Sequence, residues 1–112
     1  MPATNTAQQE LEILNRLGLH ARPAAEFVRC ARHFASRIEI VARGQVFSAQ
    51  RVVDVLLAGL SAGARFELVA EGPDAVLAVD TLAALLRQLA EIERTQAAEA
   101  DSYHLRRFDH DD

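Results

Sequence analysis

The stretch Gly18-Leu19-His20-Ala21-Arg22-Pro23-Ala24-Ala25 sets a titratable nucleophile and a guanidinium between the two residue types that most strongly punctuate a backbone. Gly18 permits a sharp turn out of an extended segment, and Pro23 is tolerated only in a first helical turn. The spacing therefore predicts a helix that begins at about His20, with His20 as its N-cap. The first amides of a helix have no internal acceptor and lie at the positive end of its dipole. A phosphoryl group on the His20 ring would thus meet the amides of Ala21 and Arg22. Arg22 adds a planar fork able to hold two phosphate oxygens at once. A neutral imidazole nitrogen is nucleophilic near neutral pH, and the phosphoramidate it forms is labile enough to pass the group onward. The plainer reading, a histidine that only caps a helix, is outweighed by the company of Gly18, Arg22 and Pro23.

No other residues gather in a comparable pattern. His33 falls late in the same helix, where it reads as a surface residue at the negative end. His104 and His110 stand among Asp109, Asp111 and Asp112, but their spacing does not make a metal site, and none is expected. Cys30, the single cysteine, falls in an apolar helical pattern and reads as packing. There is no glycine-rich phosphate loop and no serine-histidine triad signature, nor any paired catalytic carboxylates.

Charge is unevenly spread. From residue 91 onward seven acidic residues face three arginines, which accounts for the whole net charge of −4. The first 51 residues hold seven arginines against four acids, so Arg16, Arg22, Arg29 and Arg51 are expected to give the His20 side a basic rim suited to an acidic protein partner. With no lysine, no basic run and little aromatic interleaving, a nucleic-acid partner is not expected. No apolar run approaches a membrane span and the N-terminus is neither basic nor hydrophobic, so membrane insertion and export are not expected and the expected location is cytoplasmic.

The elements that must position His20 follow from periodicity. Residues 1–9 are small and polar and read as a flexible N-terminus; residues 10–90 read as one domain. Glu10 to Leu14 alternates with period two and delivers the chain to the turn at Arg16 to Gly18. Ala24, Phe27, Val28, Ala31, Phe34 and Ala35 then share one helical face. Arg37 to Ala42, the Arg43-Gly44 turn and Gln45 to Ser48 predict a hairpin. A second helix is expected from about Ala49 or Arg51 to Leu60, with Ser48 as a plausible cap. Its apolar residues spread over about 200° of the wheel, so some of them should face outward. Arg65 to Glu71 alternates as a fourth strand. A last helix follows Gly72-Pro73-Asp74, with Val76, Val79, Leu82, Leu86 and Leu89 as its buried stripe. Residues 91–112 read as a helical extension to about Ala100 and then a charged tail. The order β-α-β-β-α-β-α is an α+β class, with helices on one face of a four-stranded antiparallel sheet.

The run Leu17 to Ala25, followed by Phe27-Val28, resembles the active-site signature of the HPr family, the histidine phosphocarrier proteins of the bacterial phosphotransferase system. The resemblance extends from about Leu11 to Leu89, through Phe34-Ala35-Ser36, Gly59-Leu60, Gly63 and Ala70-Glu71-Gly72. Asn15 to His20 is similar to the nitrogen-related, NPr-like branch. The resemblance implies an HPr-like open-faced β-sandwich with three helices on one face, and phosphorylation of His20 at Nδ1. It also implies an Enzyme I-type phosphotransferase as donor, an EIIA-type protein as acceptor, and no cofactor. The chain would be a phosphoryl carrier and not an enzyme. Partner contacts would fall on the active-site loop and on Val52, Val53 and Leu56 of the second helix, beside Arg51. Where many Gram-positive members carry a regulatory serine, this chain has Arg51, which puts serine-kinase control in doubt. A different reading keeps the same residues but makes the domain a regulatory binding module, whose phosphorylation state at His20 controls docking to a kinase, transporter or metabolic enzyme.

Overall fold

The computed structural model describes residues 5–109, with side chains described through Ala100. Strand β1 (Asn5–Glu12) leads to helix α1 (Ala21–Ala31), the hairpin β2 (Arg37–Ala42) and β3 (Gln45–Ser48), helix α2 (Val52–Leu57), strand β4 (Arg65–Gly72) and helix α3 (Ala75–Asp109). The four strands form one antiparallel sheet in the order β1-β4-β2-β3. The expected α+β architecture is the one observed.

Alternation decides which face of the sheet is covered. Ile38, Ile40 and Ala42 of β2 and Phe66, Leu68 and Ala70 of β4 are buried, while Glu39, Val41, Glu67 and Val69 between them remain partly open. The helices close over the buried set. Ala24, Phe27, Val28 and Ala31 form the inner face of α1 as their spacing predicts, and α3 packs on β1 and β4. The hairpin turns through Arg43 (φ 52°) and Gly44 (φ 75°), the paired positive φ values that let a two-residue turn match the twist of its strands. Gln50 then ties three segments together. Its Nε2 donates to the carbonyls of Ala31 and Ser36, both at 3.1 Å, and Arg32 Nε donates to its own carbonyl at 2.9 Å.

Several boundaries differ from the sequence reading. Strand β1 begins at Asn5, so residues 5–9, expected to be flexible, are paired with β4 from Asn5↔Gly72 to Gln9↔Leu68. Its polar side chains hid it, because an edge strand is held by main-chain bonds that do not depend on side-chain type. Helix α2 is shorter than expected and is capped by Arg51, not Ser48. Ser48 instead closes the turn before the helix: its Oγ accepts from the Gln50 amide at 3.1 Å, and its own amide donates to Asp54 Oδ2 at 3.1 Å. In α3 the buried stripe is Ala75, Ala78, Val79, Leu82 and Leu86, with Leu89 half-buried, whereas Val76 is exposed. Small alanines let that helix lie close to the sheet and turn Val76 away from it. The helix also continues to Asp109, past the expected end near Ala100. Among the described residues no helix is long and apolar enough to cross a membrane.

Candidate functional site

The loop from Ile13 to Leu19 carries the chain from β1 to α1, and it is pinned along its length to the segment that follows α2. Ile13 N donates to Ala64 O at 2.9 Å, Gly63 N to Ile13 O at 2.9 Å, and Leu19 N to Leu60 O at 2.8 Å. Gly18 N closes a turn onto Asn15 O at 3.0 Å. Buried Ile13 and Leu19 anchor the two ends in the core. His20 thus leaves a fixed loop and enters a fixed helix.

His20 is the N-cap of α1, with extended backbone (φ −83°, ψ −171°), and its carbonyl accepts the Ala24 amide at 2.9 Å. Its side chain makes no capping hydrogen bond. The imidazole is therefore not used up in capping, and at 46% exposure it is open to a reaction partner. Pro23 has no N–H to leave unsatisfied in this first turn, and the amides of Ala21 and Arg22 have no helical acceptor. His20 and Arg22 both line one groove of about 480 Å³ between α1 and α3.

The other side of the groove holds a residue that carries no signal in its own stretch of chain. Glu93 of α3 accepts from Asn15 Nδ2 at 3.1 Å through Oε2 and from the Leu17 amide at 3.2 Å through Oε1. Its Oε2 stands 3.8 Å from His20 Nε2. Desolvation is the largest single influence on this carboxyl and pushes its pKa up. The bonds from Asn15 and from the Leu17 and Arg16 amides, with a smaller attraction to the His20 ring when that ring is protonated, together outweigh it and hold the pKa below the ordinary value. Asn15 is almost fully buried, and its Oδ1 has no donor among the described residues.

The remaining candidates separate by position. Arg16, Arg22 and Arg51 are exposed, and Arg29 is exposed but paired with Glu26 at 3.6 Å. On α2, Val53 (66%) and Leu56 (43%) face outward, Leu57 joins them at 68%, and Val52 is half-buried against the core. Cys30 packs against the core, and burial pushes its thiol pKa up. His33 Nδ1 bonds the Arg29 carbonyl at 2.8 Å, a contact local to the end of its helix. Among the described residues no histidine, cysteine and carboxylate cluster could hold a metal ion. The tail residues His104 and His110 lie outside the side chains described.

A family model described as the PTS HPr component phosphorylation site matches residues 7–88. The chain is 37% identical over 83 residues to the phosphocarrier protein HPr of Treponema pallidum, covering 74% of this chain and 94% of that one. It is 39% identical over 82 residues to the HPr of Vibrio cholerae, covering 73% and 96%. The crystal structure of HPr from Thermoanaerobacter tengcongensis superposes with a TM-score of 0.73 at 34% identity, over 76% of this chain and 96% of that one. The chain therefore belongs to the PTS HPr family, the phosphocarriers of the phosphotransferase system, which carry a phosphoryl group and are not catalysts.

Proposed function

We propose that His20 is the residue that carries the phosphoryl group, at Nδ1, and that it takes the group from an Enzyme I-type phosphotransferase and passes it to an EIIA-type acceptor. The supporting observation is the arrangement of the N-cap: an open ring, free of any capping bond, one residue before two helical amides without acceptors. In the transfer the Nδ1 lone pair forms the N–P bond as the bond between phosphorus and the donor breaks. The phosphoryl oxygens then face the amides of Ala21 and Arg22 and the Arg22 guanidinium, which balance their charge without a metal. Transfer to the acceptor is the same step reversed.

Docking in this reading uses the outward face of α2. Val53, Leu56 and Leu57 form an exposed apolar group, and Arg51 at the head of the helix adds a cation. Val52, half-buried, supports that face from beneath. The relay belongs in the cytoplasm, where phosphoenolpyruvate-charged donors are available.

The test is transfer of label from phosphoenolpyruvate by a bacterial Enzyme I. Wild-type protein is expected to gain an acid-labile, alkali-stable phosphate, and His20→Ala none. A labelled His20→Ala protein would remove His20 from the role. Label that no EIIA-type protein can accept would favour the regulatory binding module over the carrier.

A further inference from the structure

Glu93 lies on α3 beyond the residues matched by the family model, which end at 88. Both of its carboxylate oxygens are engaged by the loop that precedes His20, Oε2 by Asn15 Nδ2 and Oε1 by the Leu17 amide. Asn15 is 2% exposed and cannot swing into solvent, so its amide is a rigid donor. The result is a largely covered carboxylate, with 19% side-chain exposure, held 3.8 Å from Nε2 of the neighbouring ring.

Neutral imidazole carries its proton on one nitrogen and a lone pair on the other. A carboxylate facing Nε2 favours the form with the proton there, because an Nε2 lone pair would instead point at negative charge. The lone pair is then left on Nδ1. We propose that Glu93 is a positioning residue for His20, fixing the Nε2–H tautomer and ring orientation and thereby leaving Nδ1 as the nucleophile.

This inference rests on the reading of His20 as the carrier residue. As the Nδ1 lone pair forms the N–P bond and the donor's bond to phosphorus breaks, Nε2 keeps its proton and the ring becomes positively charged. Glu93 faces that developing charge, so its effect belongs mainly to the transfer step and not to docking. The positive charge disperses when Nε2 releases its proton or when the phosphoryl group leaves.

The experiment compares the full chain with Glu93→Gln, which keeps the side-chain length and loses the charge, and with Glu91→Gln as a control on an exposed neighbour of the same helix. Ring 15N spectra of unphosphorylated His20 are expected to show the Nε2–H tautomer in wild type and Glu91→Gln, and a shift toward Nδ1–H in Glu93→Gln. With Enzyme I and phosphoenolpyruvate, kcat for labelling Glu93→Gln is expected to fall about tenfold with KM within about twofold of wild type. Backbone amide spectra report whether the variant keeps its fold. Unchanged tautomer and kcat in a folded Glu93→Gln would overturn the proposal while leaving the His20 reading intact. A wild-type tautomer of Nδ1–H would overturn it directly. Failure of the wild-type protein to take label would instead count against the His20 reading, and the spectra would still decide whether Glu93 sets the ring.

Discussion

Gly18 lies against the backbone of Leu60 so closely that a Cβ on it would stand 2.8 Å from the Leu60 carbonyl oxygen and 2.9 Å from Ser61 Cα. Its φ of +75° is itself a conformation that side chains disfavour. The neighbouring Leu19 amide bonds that same Leu60 carbonyl, so the close approach is what seats the loop before His20. Gly18→Ala is expected to lose about 2–3 kcal/mol of stability, a left-handed backbone penalty plus a clash with atoms that cannot rotate away. A lower urea midpoint at unchanged m-value would show it; a midpoint equal to wild type would mean that the loop does not need this contact.

Arg22 shares the groove with His20 and offers a fork of donors. Arg22→Ala is expected to slow labelling by Enzyme I about 10- to 100-fold while still permitting it, since the free amides remain. Arg22→Lys should recover only part of the rate, because an ammonium cannot hold two oxygens in one plane. Full recovery with lysine would show that charge alone suffices.

Val53, Leu56 and Leu57 expose apolar surface that the core does not use. Val53→Glu and Leu57→Glu are expected to change stability by no more than about 0.5 kcal/mol and to raise the KM for Enzyme I labelling severalfold. Thermal melts beside labelling kinetics separate the two effects. A large fall in melting temperature would identify these residues as structural.

Asp74 accepts from the Ser36 hydroxyl at 2.6 Å and the Ala35 amide at 2.8 Å, tying the start of α3 to the segment entering β2. The Ser36 bond first, and then the Ala35 amide, hold the Asp74 carboxyl pKa below its ordinary value of 3.8. A lowered folded pKa means that the contribution is complete above the unfolded value and is lost as pH falls through the folded one. Asp74→Asn is therefore expected to be less stable than wild type at neutral pH, with the gap closing below about pH 4. Urea titrations across that range would reveal it, and a gap that persisted into acid would assign the loss to geometry and not to charge.

The local order of this fold was legible because it depends on near neighbours in the chain. The change of period after Gly18 marks where strand gives way to helix, and Pro23 fixes the first turn, so His20 fell at an N-cap as its spacing predicts. The apolar excess of α2 likewise marked an outward face before any contact was known. Leu57, by contrast, is exposed because of how α2 packs against α1 and β3, which spacing alone does not convey. What spacing could not convey was pairing across long separations. Asn5–Gln9 is polar and looks unstructured until β4 supplies its main-chain partners. Glu93 looks like one more surface acid on a helix, and 78 residues separate it from the Asn15 amide that fixes it beside His20. Consecutive residues are enough to place a histidine at a helix end and to set the alternation that buries one face of the sheet. Which carboxylate faces the His20 ring follows from packing between distant segments, because it depends on how the middle of α3 lies across the loop before α1.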